Sequence, residues 1–292
     1  MTTNDLLAAD TSMGPVTLLV ADLDGLTAYY RDAVALSVLG AADDTVTLGR
    51  GTTPLILLRA APELVHASPG GAGLFHTAIL FDSEAALAAA VYSVATRAPG
   101  TFTGSSDHLV SKAFYFSDPE GNGVELYWDR DRAEWSWVHG QIEMSTLFLD
   151  PNQFVKENLT EAGSMTPNFG AAVVGHVHLA VGDIASAREF YVGRLGFEQT
   201  IALGNRALFV SAGHYHHHMA MNTWNSAGAG RRAGTLGLGQ VDIIVPTTDD
   251  LGALEERMSH SGLQTRHDGL TLSFDDPWAN VIRVGVGVGV GF

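Results

Sequence analysis

At 292 residues, with 46% hydrophobic and 16% charged side chains, the chain can bury one or two full cores and is too apolar to be disordered. Its 32 acidic and 16 basic residues give a formal charge of −16, which argues against nucleic acid or an anionic membrane as main partner, since both need a basic face. Cysteine is absent, so disulfides, thiolate nucleophiles and Cys-ligated metals are excluded. The N-terminal MTTNDLLAADTS lacks the basic region and apolar run of a secretory signal, and no apolar stretch reaches the length of a membrane span. A cytoplasmic protein is the expectation.

A quarter-length pattern of strand, helix and further strands occurs four times, starting near Gly14, Gly73, Gly175 and Gly237. The first quarter (14–61) opens with a strand over 16–20. Asp22 follows as an N-cap, and DLDGLTAYYRDAVAL reads as a short helix with Leu26, Tyr29 and Tyr30 on one side. The second (73–130) opens with GLFHTAILF, continues through an Ala-rich helix and closes with FSDPEGNGVELYW. That segment combines a Phe-x-Asp-Pro turn with a last strand. Residues 135–169 break the pattern and read as a linker between two similar halves. The third quarter (173–224) repeats the first: a strand over 177–181, then Asp183 and DIASAREFYVGRLGF. The fourth (237–287) repeats the second, with GLGQVDIIV, a Leu/Glu-rich helix and FDDPWANVIRVGV. The low-complexity tail after Arg283 reads as the end of the last strand plus a flexible terminus. The predicted fold is α+β: four βαβββ units forming two tandem domains, 1–134 and 170–292, with curved mixed sheets.

Ligand-type side chains are concentrated in the middle quarters. His76 is the fourth residue of its strand, and His176 also opens a strand, with His178 on the same face two residues on. A single histidine at such a position is more often a core residue than a ligand. Glu125 alters that balance. It alternates with Val124 and Leu126, and a carboxylate on a sheet's concave face is costly unless paired or metal-bound. Two imidazoles and one carboxylate on separate strands are the donor set of a facial triad, which leaves positions on Fe(II) or Mn(II) open for substrate and dioxygen. The outer quarters hold Pro15, Gln240 and Arg283 at the matching positions. In GHYHHHMAMNTW, strand alternation puts His217 with Met219 and Met221, and His216 and His218 on the opposite face, where their substitution should matter less.

The repeated unit, the Asp–helix segments at 183–191 and 22–30, and SDPEGNGVEL resemble the vicinal oxygen chelate superfamily of glyoxalases, bleomycin-resistance proteins and extradiol dioxygenases. The two-half layout and YHHHMAMNTW resemble its catechol 2,3-dioxygenase branch. The likeness covers about 14–130 and 173–287. It implies His76, Glu125 and His176 as ligands of Fe(II), or of Mn(II), His217 as the acid/base, and His108 and Tyr115 as hydrogen-bond donors to substrate, with His108 acting through a neighbouring residue as the alternative. The implied reaction is insertion of dioxygen into a small aromatic diol beside its hydroxylated carbons. No organic cofactor is implied, and a homo-oligomer is compatible. In the familiar enzymes the His-ligand unit immediately precedes the His/Glu unit, whereas here the order is reversed. Pairing within halves leaves both sets incomplete. Pairing quarter two with quarter three, within one chain or across a dimer, completes the set and resembles the glyoxalase I arrangement. Two other readings fit the same fold: a metal-dependent isomerase or thiol transferase, and a non-enzymatic binder of an aromatic or antibiotic-like ligand.

Overall fold

The structure is a computed structural model that describes residues 6–138 and 141–287. Each quarter folds as strand, helix and three strands. The first holds β1 (Ser12–Val20), α1 (Leu23–Ala28), β2 (Ser37–Ala42), β3 (Thr45–Arg50) and β4 (Thr53–Ala60). The second holds β5 (Gly73–Phe81), α2 (Glu84–Arg97), β6 (Phe102–Asp107), β7 (Ser111–Ser117) and β8 (Gly123–Asp129). Between the halves lie β9 (Trp137–Val138), β10 (Gln141–Ile142), α3 (Pro151–Asn158) and α4 (Glu161–Met165). The third quarter holds β11 (Ala172–Ala180), α5 (Ile184–Arg188), β12 (Glu198–Ala202), β13 (Ala207–Ser211) and β14 (Met219–Asn222). The fourth holds β15 (Gly237–Val245), α6 (Thr248–His260), β16 (Arg266–His267), β17 (Thr271–Asp275) and β18 (Val281–Val286).

The strands form two eight-stranded mixed sheets, ordered β16-β17-β18-β15-β1-β4-β3-β2 and β12-β13-β14-β11-β5-β8-β7-β6. In the second, third and fourth quarters the opening strand pairs in parallel with the closing one: β5 with β8, β11 with β14, β15 with β18. Parallel neighbours need a crossover, and the helix of each quarter supplies it. The α+β class and the four-unit architecture match the expectation. Among the described residues no helix is long and apolar enough to cross a membrane. Most of the low-complexity tail lies outside the described residues.

The described residues divide into two compact units. One comprises Thr17–Leu64 and His76–Val174; the other comprises the residues up to Val16, Val65–Phe75 and those from Gly175 onward. The same framework is built in each. In the first, the Asp22 carboxylate accepts from the Gly25 N–H and starts α1. The single helix expected over this stretch stops at Ala28 and widens into a π-turn, Tyr29–Ala33. Tyr30 is buried there, and its hydroxyl donates to Asp118 Oδ2 at 3.0 Å. Asp118 also accepts from the Glu120 and Asn122 N–H groups and from Asn122 Nδ2. In the second unit, Asp183 caps α5, a π-turn runs Glu189–Arg194, and Tyr191 donates to Asp276 Oδ2 at 3.0 Å. Asp276 accepts from Trp278 N–H, Asn280 N–H and Asn280 Nδ2. Burial raises both carboxyl groups above their ordinary pKa and pushes both tyrosines well above theirs.

Residues 135–169 do more than connect. On the first unit, Phe154 of α3 packs its ring 4.9 Å from Phe114, and buried Arg50 donates to the carbonyls of Pro167 and Phe169. Desolvation lowers the Arg50 pKa to about 10.

After each π-turn the chain reverses through a left-handed residue, Ala35 (φ 61°) in the first unit and Gly196 (φ 93°) in the second. A Cβ in that region costs about 1–2 kcal/mol. Glycine loses about 0.4–1 kcal/mol more backbone entropy on folding. Ala35→Gly should therefore stabilise the protein by on the order of 0.5–1 kcal/mol, read as a higher midpoint in urea. An unchanged or lower midpoint would mean that the buried Ala35 methyl outweighs the strain.

Candidate active site

Strand register sets out the site from three strands of the first unit. Glu125 on β8 lies opposite Tyr115 on β7 and pairs with Ala78 on β5, two residues beyond His76. All three functional side chains therefore leave the sheet on one face, while Val124, Leu126, Phe114 and Phe116 are buried on the other. His76 Nε2 and Glu125 Oε2 are 2.9 Å apart and both side chains are buried. Tyr115 lies with its ring 5.7 Å from His76. Burial first, and Glu125 second, push the Tyr115 pKa well above its ordinary value, so the phenol keeps its proton at neutral pH.

His108 follows β6. Its Nδ1 is 2.7 Å from the Ser145 carbonyl oxygen, which can only accept, so Nδ1 carries the proton and donates. In the neutral ring Nε2 is then an acceptor, and it takes the Tyr115 hydroxyl hydrogen bond at 2.7 Å. Of the two sequence-based expectations for His108, donation to substrate or action through a neighbour, the geometry fits the second: both ring nitrogens of His108 are engaged within the protein, and the Tyr115 hydroxyl donates to His108. Ser145 belongs to the stretch expected to be a linker; it is held beside His108 by the Asp107–Leu147 bridge, and nothing in its sequence marks it.

In the second unit His176 lies on β11, buried, with its ring 4.0 Å from that of His217. The strand containing His217 does not extend as far as expected. β14 begins at Met219, and the preceding residues form a turn through Gly213 (φ 62°) and His214 (φ 58°). Alternation therefore does not govern His216–His218, and His216 Nδ1 and His217 Nδ1 are hydrogen-bonded at 2.7 Å. His218 has a structural role, since its Nδ1 accepts from the Ala212 N–H at 3.2 Å. His178 is buried among rings that the sequence reading did not single out, Phe75 at 4.9 Å, Trp224 at 5.4 Å and Phe209 at 5.9 Å. Phe209 also meets His217 at 5.1 Å.

His76, Glu125 and His176 each offer one ligand atom, and these atoms lie within 4.8 Å of one another. The donor set suits a divalent cation: two imidazoles and one carboxylate, all buried. Two ligands at right angles on one ion, each at about 2.1 Å, sit about 3 Å apart, which is the His76–Glu125 spacing.

The fourth quarter places different chemistry on the same register. Arg283 pairs with Asp242 as Glu125 pairs with Ala78, and Gln240 stands where His76 does. Arg283 Nε donates to Asp242 at 3.1 Å and its second amino group also bonds that carboxylate; Gln240 Nε2 donates to it at 2.6 Å. Here the cation is part of the chain. Burial raises the Asp242 pKa and the arginine opposes that rise. Arg283→Met should cost on the order of 1–3 kcal/mol, because it strips a buried carboxylate of its main partner, and should leave metal content unchanged. Denaturant melts and metal analysis check both; lost metal would place a ligand role in this quarter.

Residues 173–283 match the model of the Glyoxalase/Bleomycin resistance protein/Dioxygenase superfamily. A protein of Bacillus subtilis (strain 168) named catechol-2,3-dioxygenase is 32% identical over 280 residues, spanning 92% of this chain and 94% of that one. Among solved structures, a candidate dioxygenase from Bacillus subtilis subsp. subtilis str. 168 matches with a TM-score of 0.65 at 14% identity, over 96% of this chain and 86% of that one. Glyoxalase I from Zea mays matches with a TM-score of 0.56 at 16% identity, over 94% and 92%. At those identities the structures speak for the fold, and the fold agrees with the relationship carried by the sequence. The chain belongs to the glyoxalase, bleomycin-resistance and dioxygenase superfamily.

Proposed function

We propose that the protein is an extradiol dioxygenase that inserts dioxygen into a small catechol-like diol at a mononuclear Fe(II) or Mn(II) centre held by His76, Glu125 and His176. The observation that carries this reading is the buried His/Glu/His group, with its ligand atoms within 4.8 Å. Its resemblance to a named catechol-2,3-dioxygenase over 92% of the chain supports the reaction class. When bound, the metal would supply positions at which both diol oxygens and dioxygen are held and polarised.

The remaining steps belong to the chain's own residues. His217 accepts a proton from a diol hydroxyl and later returns it; imidazole is the side chain whose ordinary pKa lies nearest neutrality. Its Nδ1 is engaged with His216, so proton exchange with substrate uses Nε2. Tyr115 commits its proton to His108, and its oxygen lone pairs accept from a substrate hydroxyl. His108 acts through Tyr115, held by the Ser145 carbonyl. The rings of Phe75, His178, Phe209 and Trp224 provide apolar faces suited to an aromatic substrate.

Anaerobic reconstitution with Fe(II), followed by oxygen uptake on a panel of aromatic diols, tests the reading. Uptake equimolar with diol consumed is the expected result. Bound metal without oxygen uptake would favour an isomerase or transferase of this fold, and no metal binding would favour a ligand-sequestering protein. Glu125→Ala should lose metal and turnover together while keeping the wild-type circular dichroism; full metal occupancy in that variant would sink the assignment. His217→Ala should keep its metal and most substrate affinity while kcat falls by about 10²–10⁴, the usual contribution of general acid–base catalysis.

A further inference from the structure

The segment 212–218 is held at several points. Gly213 sits so close to the chain that an added Cβ would lie 2.2 Å from the Ala9 carbonyl oxygen, so only glycine fits this turn. The His218 ring accepts from Ala212 N–H, the His218 N–H bonds the Val210 carbonyl, and the His218 carbonyl accepts from Val177 N–H. The His216 carbonyl accepts from the Thr200 hydroxyl at 2.7 Å, and Thr200 is itself buried. The His216 side chain is completely buried. Its ring packs at 4.1 Å against Tyr215 and 4.5 Å against His217.

Packing alone would be served by any flat side chain. The 2.7 Å Nδ1–Nδ1 hydrogen bond would not, because it needs one nitrogen that donates and one that accepts. We infer that His216 is a positioning residue for His217: its buried imidazole, packed on Tyr215 and carried on a backbone held by Thr200, orients the His217 ring through the Nδ1–Nδ1 bond and so sets where Nε2 lies. This rests on the reading of His217 as the acid/base. A ring that can rotate about χ2 presents Nε2 to substrate only part of the time, and an orienting partner removes that loss.

Two variants and two measurements test it. His216→Phe keeps the planar bulk and removes the nitrogen. His216→Asn places an amide near the position of Nδ1. In the Fe(II)-reconstituted enzyme, His216→Phe should retain full metal content and a KM within a few-fold of wild type, while kcat falls about 10- to 100-fold, the usual cost of losing an orienting partner. His216→Asn should recover most of that kcat. Full kcat in His216→Phe would overturn the inference. So would equal damage in both variants with a raised KM, which marks a packing role.

The second readout is independent of turnover. In the metal-free protein, ¹⁵N spectra of the histidine rings should place the His217 Nδ1 in a hydrogen bond, and His216→Phe should shift that nitrogen. If the wild type cleaves no diol, the spectra still decide whether His216 holds His217. A His217 Nδ1 signal unmoved by His216→Phe would overturn the inference whatever the reaction proves to be.

Discussion

A buried tyrosine–carboxylate bond, made once in each half, is the constraint on which the site depends. Tyr30 lies eight residues after its capping Asp22, and Tyr191 lies eight after Asp183; they reach Asp118 and Asp276 at the same 3.0 Å. Each carboxylate also takes two backbone N–H groups and one Asn amide from its own turn. A buried carboxylate with fewer partners would be expensive, so turn, tyrosine and helix are locked together. This lock sets the register of the closing strands. Seven residues after Asp118 comes Glu125, and seven after Asp276 comes Arg283, each on the closing strand of its quarter.

One framework thus carries two electrostatic solutions. At Arg283 the buried Asp242 finds its counter-charge in the chain, with Gln240 as a further donor. At Glu125 the neighbour across the parallel pair is Ala78, and His76 and Tyr115 stand beside the carboxylate. Burial and the Glu125 charge keep the Tyr115 phenol protonated, so the second quarter sets ligand-type side chains where the fourth sets an arginine–carboxylate pair. Duplication preserved the geometry while the side chains on it diverged, from an ion pair in one quarter to candidate metal ligands in another.

The repeats, the capping aspartates and the Phe-x-Asp-Pro turns were legible because they are local and periodic. His76, Glu125 and Tyr115 were legible for the same reason, since strand alternation fixes their face. Three features were not. The π-turns after Ala28 and Arg188 were hidden because helical spacing of Tyr29 and Tyr30 looks the same for either winding. The alternation applied to His216–His218 failed because Gly213 and His214 take left-handed conformations, so the strand starts only at Met219. Ser145 contributes a carbonyl, and a backbone acceptor has no sequence signature. Side-chain identity marked the candidate residues; the partners that orient them are set by backbone turns, and those depend on tertiary packing.

The histidines illustrate how far partners, rather than residue type, decide a role. A neutral imidazole has one donor and one acceptor, so a partner of known polarity assigns the tautomer. The Ser145 carbonyl makes His108 Nδ1 a donor, and the Ala212 N–H makes His218 Nδ1 an acceptor. Asn222 spends its oxygen on the Trp224 N–H at 3.1 Å, which leaves its amide to donate to His178 Nε2 at 3.0 Å. In those three rings the proton is placed by an amide or a carbonyl that cannot exchange it. His216 and His217 differ, because each is the other's partner and both can donate or accept. Burial and the Thr200 bond fix the His216 ring and the segment bearing His217, while the bond between the two rings is satisfied with the proton on either Nδ1. With the proton on His217 Nδ1, its Nε2 is the acceptor of the neutral ring; with the proton on His216 Nδ1, His217 Nε2 is the donor, so the tautomer of this pair decides whether His217 can take a proton at Nε2.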